Sequence, residues 1–284
     1  WIKPGKQTDA LKTESQTLLA TAVIDKKPDI ADWFYIPSWK RSIPLTFKPG
    51  GMQLCSAWLI FIDEYGLGSE LVKRLEQEHQ DVIVVKLGSE FAEVSECSTN
   101  GCGQWVFTIN PQQCSDYDAL VSQLLATDKI PTNIVHLWSV TPDVPTESSL
   151  ESVNKAQDLG FYSLLFLTQA LGKYNYFNKL QITVVSNNIQ EVTGEEVLCS
   201  EKATLLGPLK VIPQEYRNIS CRSIDVDIPK SPIQIEQKLI EQLLAEITEK
   251  SSDLVIAYRG IYRWIQTYEP IRLNLCDKAT PRLR

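Results

Sequence analysis

The chain has 284 residues, 43% of them hydrophobic and 22% charged, and 28 Lys and Arg against 35 Asp and Glu leave a formal charge of −7. Length and apolar content suffice for one or two packed domains, and the acidic balance argues against nucleic acid or an anionic membrane as partner. No apolar run approaches the ~20 residues of a membrane helix, and no basic segment followed by an apolar one opens the sequence, so a cytoplasmic globular chain is expected.

Residues 1–30 read as a polar linker, with Pro4, Gly5 and a Lys26-Lys27-Pro28 turn and only a weak apolar stripe at Leu11, Leu18, Leu19 and Val23. The aromatic run Trp33-Phe34-Tyr35-Ile36-Pro37-Ser38-Trp39 then predicts a strand, which Pro37 confines to an edge or a bulge. From Trp58 the chain alternates. Trp58–Ile62 is a short apolar run typical of a strand buried on both faces, and Leu67, Leu71 and Leu75 mark one face of a helix. Val82–Val85 is a second buried strand, 88–104 reads as a loop, and Trp105–Ile109 is a third. Tyr117, Leu120, Leu124 and Leu125 form a helical stripe, Ile134–Val140 is a strand, and a long helix is expected from Glu151 to Leu171. Strand Leu180–Ser186, helix Ala203–Leu209, strand Ile219–Val226 and a helix carrying Ile235, Leu239, Leu243 and Ile247 follow. The pair Leu254–Tyr258 and Tyr262–Gln266 closes around Arg259-Gly260-Ile261. This alternation predicts an α/β, truncated Rossmann-like fold of the short-chain dehydrogenase/reductase kind, a mostly parallel sheet with helices on both faces.

Seven cysteines (55, 97, 102, 114, 199, 221 and 276) show no paired spacing and read as free thiols. Cys97, Cys102 and Cys114 with His79 or His136 is the one metal arrangement to weigh. Structural zinc favours closer cysteine pairs, so no metal site is expected. His79 reads as a surface residue at a helix end and His136 as a hydrogen-bonded core histidine.

A dinucleotide fold opens with a Gly-rich turn, and Asp63-Glu64-Tyr65-Gly66-Leu67-Gly68-Ser69-Glu70-Leu71 stands in its place. Gly66 and Gly68 match the first two glycines of G-x-G-x-x-G, but Leu71 replaces the third. Asp63, Glu64 and Glu70 surround the point where pyrophosphate would sit, with no Lys or Arg beside it. Lys86 follows the second strand where a ribose-binding acid is expected. The loop is read as degenerate, with no cofactor bound by this chain. Reductases of this fold also need a Ser and a Tyr. Ser186 ends a strand, but the segment after it, Glu195–Gly207, has no Tyr; Tyr174 and Asn178 precede it and Tyr216 lies beyond the next helix. No catalytic residue is expected.

The segments Asp32–Lys40, Trp58–Leu71, Val135–Ser139, Val184–Gly194, Leu206–Tyr216 and Ala257–Gly260, in this order and spacing, resemble the ketoreductase domains of modular type I polyketide synthases, cyanobacterial-type. The resemblance spans residues 31–284 and is to the N-terminal structural half, which in that family has lost the cofactor loop and the catalytic residues. It implies a non-catalytic half that docks to and stabilises a second, NADPH-binding half, which reduces the β-keto group of a chain bound to an acyl carrier protein. It also implies that residues 1–30 follow an acyltransferase domain and that the catalytic half follows Arg284. The implied partners are that catalytic half and the neighbouring acyltransferase and acyl carrier domains, with no nucleic acid or membrane. Docking is expected at Trp33–Trp39 and at the pair Leu254–Gln266. A pseudo-ketoreductase spacer in a non-reducing module, or an atypical NADPH reductase using Gly66, Gly68 and Ser186, are the alternatives. The loop Cys97–Gln104 departs from the compact form of the family.

Overall fold

The structure is a computed structural model and describes residues 27–48, 50, 57–96, 104–141, 149–176, 178–228, 237–249 and 252–273. Ten strands form one sheet: β1 (Phe34–Ser42), β2 (Ala57–Phe61), β3 (Asp81–Leu87), β4 (Ala92–Glu96), β5 (Gln104–Ile109), β6 (Asn133–Ser139), β7 (Leu180–Ser186), β8 (Ile219–Val226), β9 (Val255–Arg259) and β10 (Tyr262–Ile271). Their order across the sheet is β1-β10-β9-β8-β7-β6-β2-β3-β5-β4. The central strands β5, β3, β2, β6, β7, β8 and β9 all pair in parallel, while β4 and β10 return antiparallel to β5 and β9. The expected α/β class and mostly parallel sheet are observed.

Alternation along each apolar strand supplies two cores, one per face. Leu59 and Phe61 of β2, with Ile83, Val85, Phe107 and Ile134, face helices α2 (Cys114–Ala126), α4 (Ser163–Lys173) and α5 (Leu206–Glu215). Trp58 and Ile60, with Val84, Val135, Val185 and Ile256, face α1 (Leu67–Gln77) and α6 (Gln237–Thr248). The stripe Leu67, Leu71 and Leu75 is wholly buried on that second face. At its far end His79, with φ 57°, takes the left-handed position that lets Gln80 N–H reach Leu75 O and His79 N–H reach Glu76 O. Asp128 and Asn175 terminate α2 and α4 with the same pair of bonds.

Two features depart from the sequence reading. β4 lies inside the expected loop 88–104, because Val94 pairs with Val106 and adds an antiparallel edge strand. The long helix is interrupted: α3 (Leu150–Gln157) passes through a π turn at Asp158–Tyr162 into α4. At that turn Gly160 meets the end of β6, where a Cβ would lie 3.3 Å from Ser139 Oγ and from Leu205 Cβ. The wider turn and the missing side chain together let the helix approach the strand end.

The chain divides into two compact units, Pro37–Tyr268 and a small one made of Trp1–Ile36 with Glu269–Arg284. In the small unit a 3₁₀ turn at Ile30–Asp32 is capped by Asp29, and Arg272 pairs with Asp29 and Asp32 at 2.6 Å each. Residues 1–26, which carry most of the expected linker, lie outside the described residues.

Candidate functional site at the switch point of the sheet

The strand order reverses between β2 and β6, and in open α/β sheets the crevice outside the carboxyl ends of such strands is where ligands bind. The β2–α1 turn borders this crevice. Gly66, with φ 108°, precedes α1, and the first N–H groups of the helix point back into the turn. They are already occupied. Asp63 Oδ2 accepts from Gly66 N–H at 2.8 Å and Leu67 N–H at 3.1 Å, and Oδ1 accepts from Gly68 N–H at 2.6 Å. The chain's own carboxylate sits on the groups that hold an anion in a dinucleotide site. Burial raises the Asp63 pKa, opposed by these same backbone donors. Gly68 serves packing, since a Cβ there would lie 2.9 Å from Ile62 Cβ. Leu71 is fully buried against the sheet.

Ser186 is the last residue of β7 and is wholly buried. Its hydroxyl donates to Asp225 Oδ1 at 3.3 Å, and Asp225 also accepts from the N–H groups of Ile189 and Gln190. Arg259 closes this cluster. Its guanidinium donates to Asp225 Oδ2 at 2.8 Å, Glu196 Oε1 at 2.9 Å and Gln190 O at 2.7 Å. Tyr174 and Tyr216 precede the N-terminal ends of β7 and β8, which run parallel, so both lie at the opposite end of the sheet from Ser186. A seven-residue strand separates them, about 20 Å. The structure therefore does not bring Ser186 together with Tyr174 or Tyr216.

His136 is fully buried in β6, with Nε2 2.7 Å from Ser163 Oγ and its ring stacked 5.0 Å from Phe61. Desolvation lowers its pKa to about 3, which suits a neutral core residue. Cys114 is exposed, while Cys97 and Cys102 lie outside the described residues. Lys86 falls inside β3, paired with Thr108.

The sequence reading missed a buried lysine. Lys202, only 5% exposed, stands in the 3₁₀ turn Ser200–Leu205 that leads into α5. Its Nζ donates to Asn187 Oδ1 at 2.7 Å and Asn187 O at 3.2 Å, and desolvation lowers its pKa to about 8. Asn187 in turn clasps Thr141, accepting from its N–H at 3.0 Å and donating to its carbonyl at 2.8 Å, so β6 and β7 are joined at their carboxyl ends. A cavity of about 370 Å³ opens here, lined among others by Asp63, Glu64, Lys155, Cys199 and Lys202. Trp138, Val140 and Leu159 give it apolar walls. No spacing in the sequence marks Lys202, because its partners are backbone and amide oxygens brought in from another loop.

A family profile described as "Beta-ketoacyl synthase-like, N-terminal" matches residues 57–246, about two thirds of the chain. The chain belongs to this family. It is the structural subdomain of the ketoreductases of modular synthases. The subdomain is similar to a multidomain structure holding the adenylation, ketoreductase and pseudo Asub parts of a keto acid-selecting NRPS module, with 27% identity and a TM-score of 0.69 over 84% of this chain and 18% of that one. It is similar in fold to an N-terminal ketoreductase from the macrolactin assembly line, at 19% identity and a TM-score of 0.62 over 86% of this chain and 46% of that one. It also matches a short-chain dehydrogenase from Leptospira borgpetersenii with bound NAD+, at 14% identity and a TM-score of 0.51 over 74% of this chain and 92% of that one. No curated protein matches. The subdomain spans under half the length of the synthase-derived structures it resembles.

Proposed function

We propose that this subdomain is the non-catalytic half of a ketoreductase, a scaffold that docks to and orders an NADPH-binding half which reduces a β-keto group on a carrier-bound chain. The observation that carries the reading is Asp63. Its carboxylate consumes the Gly66, Leu67 and Gly68 N–H groups on which pyrophosphate would rest. A phosphate could enter only by displacing a buried carboxylate, and no cation stands in the turn to offset the two charges. NADPH does not fit the site as built. Ser186, bound to Asp225 inside the protein, has no path to a substrate carbonyl. Gly66, Gly68 and Leu71 are thus a relic of a cofactor loop.

Docking would use the edge segment Trp33–Ile36, whose large side chains are each between 41% and 52% exposed. The pair β9–β10 is a weaker candidate than the sequence suggests, because β10 is not a sheet edge: it lies between β9 and β1. The acyltransferase and acyl carrier domains would be further neighbours within the same synthase.

NADPH titration followed by tryptophan fluorescence, with and without the co-expressed catalytic half, tests the proposal. This chain alone should show no saturable binding and should co-purify with the catalytic half. Micromolar binding by the chain alone, or failure of the two halves to associate, overturns it. A second reading concerns the parent assembly: the 27% identity to a chain from an NRPS module favours a keto acid-selecting module as the alternative to a polyketide one.

A further inference from the structure

The cavity at the switch point has lost the geometry for a dinucleotide but has not been filled. It is an open crevice, with the exposed Glu64 and Lys155 on its rim and the buried Asp63, Trp138 and Lys202 deeper in its lining. Two buried polar groups on its wall are incompletely satisfied. Trp138 is 2% exposed and its Nε1 has no hydrogen-bond partner, which leaves a buried donor unmet. Lys202 has three donors and spends two of them on the oxygens of Asn187. Desolvation outweighs the attraction of the Asp225 and Glu201 carboxylates, and among the described residues the hydrogen bonds of its Nζ go only to the neutral oxygens of Asn187, which leaves one donor to offer.

We infer that this cavity binds a small organic monocarboxylate, its carboxylate received by Lys202 and Trp138 Nε1 and its apolar body held by Val140, Leu159 and the Trp138 ring. Two further lining residues bear on the charge of the ligand. Asp63 and Glu64 also line the cavity, and Asp63 is locked to three backbone donors, so a second anionic group on the ligand meets like charge there. A nucleotide or a dicarboxylate is thereby disfavoured, whereas one carboxylate at the lysine end gains an ion pair in a low-dielectric site. The ligand would cross-link the ends of β6 and β7 through Asn187, and thus brace the edge of the crevice. This inference does not depend on docking to a catalytic half, and it is tested on this chain alone.

The probes are benzoate and its uncharged isostere benzamide, titrated calorimetrically into the purified chain. Benzoate should bind saturably and benzamide about tenfold or more weaker, equivalent to at least ~1.4 kcal/mol for the charge. Lys202→Met should erase that preference. Trp138→Phe, which keeps the ring and removes the donor, should weaken benzoate about three- to tenfold. Ala156 also lines the cavity, and Ala156→Phe should block both probes by filling the space while Lys202 stays in place. Should Lys202→Met fail to fold by circular dichroism, the Trp138 and Ala156 variants still decide the matter. Absence of saturable benzoate binding, equal affinity for benzoate and benzamide, or benzoate binding indifferent to Ala156→Phe each overturns the inference.

Discussion

Asp63 brings the chemistry of the β2–α1 turn to one side chain. Its two oxygens satisfy three of the orphan N–H groups at the start of α1, the task that a cap performs, and complement the positive end of the helix. Asp63→Ala should cost about 2 kcal/mol in urea unfolding, at the upper end of cap losses because the stranded donors lie in a buried turn. The same variant should still show no NADPH binding, since Glu64 and Glu70 remain and Leu71 stays packed under the helix. Saturable NADPH binding by Asp63→Ala would mean that the carboxylate alone closes the site. Three carboxylates around the turn were legible in the sequence, but which of them takes the N–H groups was not. Glu64 is exposed and Glu70 pairs with Lys73, and only the turn at Gly66 decides that Asp63 faces inward.

Between elements, two buried arginines tie the later strands together. Arg263 of β10 pairs with Glu246 of α6 and with Asp253 at 2.9 Å, while Tyr258 of β9 donates to the same Glu246 at 2.8 Å. Arg259 joins the end of β9 to Asp225 of β8 and to Glu196 in the loop after β7. Burial would raise the Glu196 pKa, but the N–H and hydroxyl of Thr193 and the Arg259 guanidinium outweigh it and hold it at about 2. Arg259→Met should destabilise the chain by about 3 kcal/mol, the cost of stranding buried acids, and Arg259→Lys should recover only part because an ammonium cannot reproduce the fork. Glu196 is depressed in the folded state, so its contribution is complete above its ordinary value of 4.5 and is lost as pH falls through about 2. Unfolding of Arg259→Met should therefore lose less stability across that window than the parent chain. An equal acid loss in both would separate Arg259 from Glu196. Sequence periodicity placed β8 and β9 correctly but not this cluster, whose members lie 29 to 63 positions apart and meet only at the strand ends. β4 escaped the sequence reading for a similar reason. A short edge strand takes its stability from its pairing with β5, not from its own pattern.

For the molecule as a whole, stability should fall in mild acid because of His136. Desolvation lowers its pKa to about 3 from an ordinary 6.5, so between those values the unfolded chain binds a proton that the folded chain refuses. Its contribution is complete above pH 6.5 and drains away as pH falls toward 3, amounting to about 2 kcal/mol lost between pH 7 and pH 5. His136→Gln should lower overall stability yet flatten the unfolding free energy over that interval. An unchanged pH slope would show that other groups set the acid sensitivity. The same burial keeps the His136 ring neutral in the folded chain near pH 7.

The amino-acid sequence by itself determined the strand–helix alternation, the parallel class of the sheet and the failure of the glycine pattern, because apolar periodicity and turn chemistry are local properties of the chain. It also carried the family, through the order of its motifs. The tertiary structure alone decided which carboxylate caps α1, that Ser186 is buried against Asp225, and that Lys202 and Trp138 line one cavity. Those facts depend on side chains that distant strands bring together, and on the low dielectric that surrounds them once water is excluded.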